Sequence, residues 1–251
     1  MSSSVLPASE CTVELRGVRK AFHGQPVLRG VDLRVRRGET LTILGGSGAG
    51  KSVCLKHMIG LLSPDSGRIW VLGTEVTRLR ESAWVPIRRR CGVVFQSSAL
   101  FDSLSVFENV AYPLREHHLC AEPELRDRVR TALDMVGLAG TEALMPSELS
   151  GGMRKRAALA RALVLEPRAI LYDEPTTGLD PVVAAKVNHL IRDLQRRLGL
   201  TGVVVTHDLG SAFFVADRIA FLHDGRIRFV GPPEEARAST DPHLHEFLTA
   251  A

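Results

Sequence analysis

The chain has 251 residues, of which 45% are apolar and 24% charged, the composition of an ordinary globular protein with one large domain. Its formal net charge of +4 comes mostly from scattered basic residues, without the aromatic-interleaved basic stripe typical of nucleic-acid binding. Four widely spaced cysteines form no C-x-x-C metal or redox motif, so reduced thiols of a cytosolic protein are expected. No apolar run approaches the roughly 20 residues that span a bilayer.

The first half of the chain predicts a tail and then strands around one helix. Residues 1–10 are polar and Ser-rich without an apolar centre, so they predict a disordered tail and not a signal peptide. Residues 31–36 alternate as a half-exposed antiparallel strand does, and 41–44 form an apolar strand. A helix is predicted over 51–62, followed by strands at 67–72 and 92–95.

The middle of the chain, from about residue 97 to 167, is helical in pattern. Apolar residues recur at spacings of three and four from Leu125 to Val136, which predicts an amphipathic helix ended by Gly137. A second helix is predicted over 153–165. We interpret this region as a helical insertion in an α/β core.

Strands and helices alternate again in the last third. A buried strand is predicted at 169–173, a helix at 181–198, a strand at 202–206 and a hairpin over 219–230 that turns at residues 224–225. This alternation indicates a mainly parallel sheet with right-handed connections.

A glycine-rich loop between the strand at 41–44 and the next helix predicts a phosphate site. Glycines let successive N–H groups point at one anion, and the helix start adds its positive dipole end. The expected roles are a bridge to the terminal phosphates for the lysine and Mg²⁺ binding for the serine after it. The loop has the G-x-x-x-x-G-K-S spacing and consists of Gly45, Gly46, Ser47, Gly48, Ala49, Gly50, Lys51 and Ser52.

Two acids follow the buried strand at 169–173. A carboxylate at the carboxyl end of a strand beside a phosphate loop is placed to bind Mg²⁺, which is the role predicted for Asp173. Glu174 is then placed to polarise an attacking water. An ordinary acidic turn is the alternative for this pair taken alone.

Ser150, Gly151 and Gly152 precede a predicted helix and form a second candidate anion cradle. If the two cradles lie on opposite sides of the domain, they meet around one nucleotide only when two copies pair, which predicts a dimer. A simple Ser-Gly helix cap is the alternative for this motif. Gln96 and His207, each after a strand, are candidates to contact the metal and the γ-phosphate, and structural roles explain each as well when it is taken alone.

Together these motifs resemble the nucleotide-binding subunit of ABC transporters over essentially the whole chain. The resemblance implies a P-loop NTPase (RecA-like) core at about 11–96 and 168–251, with an antiparallel β subdomain, and a helical ABC-specific subdomain at about 97–167. The matching motifs are Walker A (45–52), the Q-loop (Gln96), the signature (149–153), Walker B with its glutamate (169–174), the D-loop (178–180) and the switch histidine (His207).

The resemblance also implies ATP and Mg²⁺ as ligands and assigns residues to them. Phe22 stands where the family more often has an adenine-stacking tyrosine, and its ring face can still stack. Met153 replaces the commoner glutamine of the signature. The implied catalytic residues are Glu174, His207 and Lys51, the Mg²⁺ ligands are Ser52, Gln96 and Asp173, and the further ATP contacts are Phe22, residues 45–52, Val53, Gln96, Ser150, Gly151, Gly152 and Asp180.

Residues 94–110, 112–116 and 144–153 are similar to the Mla-type ATPases, which serve phospholipid transporters that contain an MCE-domain protein. This implies a homodimer of ATPase subunits, peripheral on the cytoplasmic face of the inner membrane. Its implied partners are an integral membrane permease, an MCE-domain substrate-binding protein and, in some systems, a small regulatory subunit, but no nucleic acid.

Three other functional hypotheses are alternatives to phospholipid transport. An ABC ATPase for another substrate shares every catalytic motif. Non-transport ABC proteins that act on DNA carry long coiled coils, which are absent here, and those that act on ribosomes usually carry two such domains. A P-loop kinase or GTPase leaves Ser150–Gly152 without a role.

Overall fold

The computed structural model describes residues 11–249, and these residues contain two β-sheets. The predicted tail at residues 1–10 lies outside this range. The first sheet is antiparallel, with strand order β2-β1-β4-β5, and its members are β1 (Cys11–Phe22), β2 (Gln25–Arg36), β4 (Ser66–Val71) and β5 (Thr74–Glu75). Residues 31–36 alternate between buried and more exposed positions within β2, which confirms the predicted half-exposed strand.

The second sheet has six strands in the order β10-β9-β3-β8-β7-β6. Five run parallel, and β10 pairs antiparallel with β9. Because parallel strands end at the same edge, the residues that follow β3, β6, β7 and β8 converge there. The strands are β3 (Thr40–Leu44), β6 (Cys91–Val94), β7 (Ala169–Asp173), β8 (Thr201–Thr206), β9 (Arg218–His223) and β10 (Arg226–Gly231).

The helices lie between and beside the sheets. In the region from 97 to 167, the apolar faces of three helices share one core with residues such as Leu114, Leu133 and Ala158. The helices are α1 (Lys51–Met58), α2 (Glu81–Arg88), α3 (Val106–Glu116), α4 (Glu122–Met135), α5 (Gly151–Leu163), α6 (Pro181–Leu198), α7 (Leu209–Val215), α8 (Pro233–Arg237) and α9 (Pro242–Thr249), with a 3₁₀ turn at Pro146–Glu148.

Several predicted elements are confirmed. The helix at 181–198 has the predicted bounds, and the hairpin turns at Asp224 and Gly225, whose φ angles of 47° and 69° suit the tight turn. The helix through Leu125 ends at Met135, and Gly137 follows with a φ of 65°. The α/β architecture and the helical middle region are as expected.

Three predicted helix bounds are wrong. The helix that begins at Lys51 ends at Met58 instead of residue 62, because Gly60 turns into the left-handed region with a φ of 71° and Trp84 packs against it. The helix predicted over 153–165 begins at Gly151, because the Ser150 side chain caps it, and ends at Leu163. Helix α2, which carries Trp84, has no counterpart among the predicted elements.

Candidate active site

The loop between β3 and α1 folds around the ammonium group of Lys51. Lys51 Nζ donates hydrogen bonds to the carbonyl oxygens of Gly45 (2.8 Å) and Gly46 (3.0 Å) and lies 3.8 Å from Glu174 Oε1. Burial lowers the pKa of Lys51, and the carboxylates of Glu174 and Asp173 oppose this effect. The ammonium group of Lys51, which is predicted to bind phosphate oxygens, thus donates to carbonyl oxygens of its own loop.

The glycines of this loop are required by its backbone. Gly48 and Gly50 have φ angles of 77° and 102°, which residues with a Cβ rarely adopt. A Cβ on Gly45 would overlap the carbonyl oxygen of Leu222, and one on Gly50 would press against Leu28. The loop therefore keeps a bare, concave backbone, which fits the close approach of an anion.

The residue that ends β7 meets the start of α1. Ser52 Oγ donates a hydrogen bond of 2.9 Å to Asp173 Oδ1. The hydroxyl and the carboxylate are oxygen ligands of the type that Mg²⁺ prefers, and Mg²⁺ commonly takes only one or two protein ligands beside water and phosphate. This pair therefore suits a Mg²⁺–nucleotide complex.

Glu174 is 93% buried, and both of its carboxylate oxygens accept hydrogen bonds. Oε2 accepts from the hydroxyls of Thr177 and Thr206, each at 3.1 Å, and Oε1 accepts from His207 Nδ1 at 2.9 Å. Its backbone N–H donates to Val205 O (2.9 Å), and its φ of 49° is in the left-handed region. Such strain in a non-glycine residue is often retained at functional sites.

The His207 ring is more than half exposed beside this buried acid. Because its bond partner is a carboxylate, Nδ1 carries the proton, and Nε2 is left as the atom free to act outward. Nε2 accepts a hydrogen bond when the ring is neutral and donates one only when the ring is protonated. A contact from His207 Nε2 to a phosphate oxygen therefore requires the imidazolium form.

A residue that the sequence reasoning missed also belongs to the site. Lys155 of α5 is buried, and its Nζ donates to the carbonyl oxygen of Gln96 and lies 3.4 Å from the carbonyl oxygen of Glu174. Lys155 falls three residues after Gly152 and four before Leu159, both of which are buried. This spacing on the buried face of α5 is the sequence signal that identifies an unusual lysine.

The predicted signature and D-loop residues lie together as a second group. Ser150 caps α5 by accepting from Met153 N at 3.3 Å, and Asp180 caps α6. A Cβ on Gly152 would overlap Val183 Cγ1, and one on Gly151 would lie 3.1 Å from Leu179. Within residues 11–249, no hydrogen bond or ion pair joins the side chain of Ser150 or Asp180 to the loop at 45–52.

Phe22, Val53 and Gln96 are the remaining residues of the predicted nucleotide site. Phe22 is exposed at the end of β1, with Lys20 Nζ 5.6 Å from its ring centroid. Gln96 follows β6, and its carbonyl oxygen is bonded to Lys155. Val53 lies in the first turn of α1, where its carbonyl oxygen is 2.7 Å from His57 Nδ1.

Comparison with known proteins decides the family. Residues 28–177, more than half of the chain, match the ABC transporter family. The chain belongs to this family. As an ABC ATPase it binds and hydrolyses ATP, and the predicted P-loop NTPase fold is confirmed. No helix within residues 11–249 is long and apolar enough to cross a membrane.

Relatives of this ABC ATPase have names that refer to different compounds. The chain is 43% identical to the probable ribonucleotide transport ATP-binding protein mkl of Mycobacterium leprae, over 94% of this chain and 68% of that protein. It is 41% identical to the intermembrane phospholipid transport system ATP-binding protein MlaF of Escherichia coli, over 94% and 88%. Protein TRIGALACTOSYLDIACYLGLYCEROL 3 of Arabidopsis thaliana is 41% identical, over 97% and 75%. Three other mycobacterial mkl proteins are covered over only 66% of their length.

Solved structures share the fold of this ABC ATPase. A dimeric ATP-binding cassette in a post-hydrolysis state, bound to ADP and Pi, superimposes with a TM-score of 0.81 at 34% identity, over 88% of this chain and 98% of that one. A component of the ABC transporter complex cbiONQ from Clostridium perfringens gives a TM-score of 0.84 at 30% identity, over 95% of both chains.

Proposed function

We propose that this chain is the ATP-hydrolysing subunit of an ABC transporter that powers phospholipid transfer, peripheral on the cytoplasmic face of the inner membrane. The identity of 41% over 94% of the chain to a phospholipid transport ATPase carries this proposal. A second relative is named after a glyceroglycolipid, and residues 94–110 are similar to the Mla-type ATPases. The ribonucleotide name of the mycobacterial relatives is the competing cargo.

The proposed catalytic carboxylate is that of Glu174. Two threonine hydroxyls hold its Oε2, which keeps the carboxylate in one orientation. Its Oε1 faces Lys51 at 3.8 Å. Oε1 already accepts one hydrogen bond from His207 Nδ1. When Lys51 donates to phosphate oxygens, the second lone pair of Oε1 is open to a hydrogen bond from water, which orients that water for attack.

The other members of the site would hold the nucleotide and its metal. We assign phosphate binding to the loop at 45–52 and the start of α1, and base stacking to Phe22. Ser52, Asp173 and Gln96 would hold Mg²⁺, which supplies charge neutralisation of the phosphate oxygens when it is bound. His207, as the imidazolium, would donate from Nε2 to the charge that develops on the γ-phosphate.

We also propose that two copies of the chain pair, so that Ser150–Gly152 of one subunit meets the nucleotide on the other. The free end of α5 supports this, because its first N–H groups and helix dipole suit an anion. The resemblance to a dimeric cassette is consistent with it. We propose Asp180 as a residue of the same interface, since it lies with Ser150 in one group.

The segment after Gln96 is our proposed docking site for the permease, on the helical subdomain at about 97–167. Buried Asn109 organises it by donating to the carbonyl oxygens of Phe101, Leu104 and Ser105 and accepting from Phe101 N. The rings of Phe101 and Tyr112 remain exposed, with centroids 4.8 Å apart. An MCE-domain protein and, as in some Mla-type systems, a small regulatory subunit complete the proposed assembly.

The ATPase mechanism is tested with Glu174→Gln. The amide keeps the size of the side chain but cannot act as a base, so we expect kcat to fall by about 10²–10⁴-fold. ATP binding should persist, and an ATP-bound dimer should accumulate in size-exclusion chromatography. Hydrolysis close to the wild-type rate would remove Glu174 from this role.

The cargo is tested by isolating the complex with its permease from native membranes and analysing what co-purifies. We expect an MCE-domain protein and bound phospholipid. Recovery of a sugar or amino-acid permease, or of bound ribonucleotide in place of lipid, would contradict the phospholipid assignment. An ATPase rate stimulated by DNA or ribosomes and unaffected by the permease would favour a non-transport role.

A further inference from the structure

Lys155 connects α5 to the ends of two neighbouring parallel strands. Its ammonium group donates to the carbonyl oxygen of Gln96, after β6, and lies 3.4 Å from the carbonyl oxygen of Glu174, after β7. Only 6% of the residue is exposed. Burial lowers the pKa of Lys155, while the carboxylates of Asp173 and Glu174 favour its charged form.

Packing alone does not explain a lysine at this place. A buried ammonium group loses its hydration, and an apolar side chain of similar size satisfies a core position at no such cost. The head group of Lys155 instead contacts backbone atoms of the two residues that we propose bind Mg²⁺ and activate water. The contacts of Lys155 are therefore with the backbone that carries these two residues.

Lys155 and the proposed contact to the partner's nucleotide belong to the same helix. Ser150 caps α5, and Lys155 lies five residues further on, about 7.5 Å along a helix that rises 1.5 Å per residue. A helical segment of this length moves as one body. A shift of the first turn is therefore transmitted to the ammonium group of Lys155.

The residue that receives this movement is held tightly on its other sides. The backbone N–H of Glu174 is bonded to Val205, and its carboxylate is bonded to Thr177, Thr206 and His207. Its carbonyl oxygen is the atom that faces Lys155. Displacing this carbonyl oxygen rotates the peptide plane after Glu174, next to the Cα that carries the carboxylate.

We propose that Lys155 is a positioning residue that couples the two nucleotide sites of the dimer. Engagement of Ser150–Gly152 by the nucleotide on the partner subunit shifts α5, and Lys155 passes this shift to Gln96 and Glu174 of its own subunit. The inference rests on the proposed function, since it requires a dimeric ATPase.

The test measures steady-state ATP hydrolysis by the full-length protein in its permease complex and compares variants of Lys155 with the wild type. We expect Lys155→Gln to lower kcat by about tenfold or more and to abolish cooperativity in ATP, while the ATP affinity of the isolated subunit stays within about twofold. Lys155→Arg keeps the cation and should retain cooperativity. Arg130→Gln, an exposed charge loss on α4, is the matched control and should behave as wild type.

A Lys155→Gln enzyme with wild-type kcat and cooperativity would overturn the coupling. Absence of ATP hydrolysis in the wild-type complex would instead contradict the proposed function, so the two failures are distinct. If Lys155→Gln does not fold, hydrogen exchange of the wild type decides. ATP should then protect residues 96–99 more in the dimer of the complex, where a partner nucleotide contacts 150–155, than in the isolated subunit, and equal protection in the two would contradict the inference.

Discussion

The loop before α1 and the start of α5, the two regions proposed to bind one nucleotide, use their polar groups differently. In the loop, Lys51 is bonded to the carbonyls of Gly45 and Gly46, and Ser52 is bonded to Asp173. At the start of α5, the first intrahelical bond runs from Arg154 N to the carbonyl oxygen of Ser150, so the N–H groups before it lie outside the helical ladder.

The difference separates two kinds of binding. A nucleotide at the loop exchanges existing bonds, whereas a nucleotide at α5 adds bonds to the N–H groups ahead of Met153, whose own N–H is already bonded to the Ser150 hydroxyl oxygen. Variants of the loop should therefore alter the affinity of an isolated subunit. Variants at the start of α5 should alter the stability of the subunit or the closure of the dimer and leave the affinity of the isolated subunit unchanged.

Among variants of these two regions, Lys51→Ala should give the largest effect. Loss of a charged donor to the phosphates should weaken ATP binding by the isolated subunit about 100-fold, near 2.7 kcal/mol. Isothermal titration calorimetry measures this directly. Lys56→Ala removes an exposed lysine from the same helix and should leave the affinity unchanged. An unchanged affinity in Lys51→Ala would refute the phosphate role of this loop.

Gly152→Ala should lower the stability of the subunit, whereas Lys51→Ala lowers its ATP affinity. The added Cβ overlaps Val183 Cγ1, so the free energy of unfolding should fall by about 1–3 kcal/mol, measured by urea denaturation. The double variant Gly152→Ala/Val183→Ala should recover part of this loss, because the overlap is removed. A single variant as stable as wild type would show that α5 and α6 shift apart easily.

The ends of a helix are predictable from sequence when the residues that set them are local, and not when those residues are distant along the chain. Helix α6 was predicted with its observed bounds because both signals are local: Asp180 caps it, Pro181 is its first residue, and Gly199 ends it in the left-handed region. Helix α1 was predicted four residues too long because Trp84, distant in sequence, packs against Gly60 and helps set its end. No local pattern contains that contact.

The site follows the same rule. The loop at 45–52, the acids after β7 and His207 were predictable as one site because each follows a strand of the same parallel sheet. Lys155 was missed because its role depends on the packing of α5 against Gln96 and Glu174. The glycines at 151–152 were predicted for anion binding, and the structure adds a packing reason for Gly152 that the sequence did not indicate.

Ser52→Ala should affect the metal more than the nucleotide. The hydroxyl that is bonded to Asp173 is lost, so half-maximal ATPase activity should require about tenfold more Mg²⁺. ATP binding without Mg²⁺ should be unchanged. Ser52→Thr restores a hydroxyl and should recover most of the loss. An equal Mg²⁺ requirement in wild type and Ser52→Ala would exclude Ser52 as a ligand.

Ser150→Ala should have the smallest effect, and it separates the two explanations of this motif. Loss of the cap should lower the free energy of unfolding by about 1 kcal/mol, without changing the ATP affinity of the isolated subunit. Ser150→Asp keeps a capping oxygen and should restore stability, but its charge opposes a nearby phosphate. In the Glu174→Gln background, Ser150→Asp should therefore still fail to form the ATP-bound dimer. If the aspartate restores the dimer as well as the stability, Ser150 serves only as a helix cap, and the start of α5 does not contact the nucleotide.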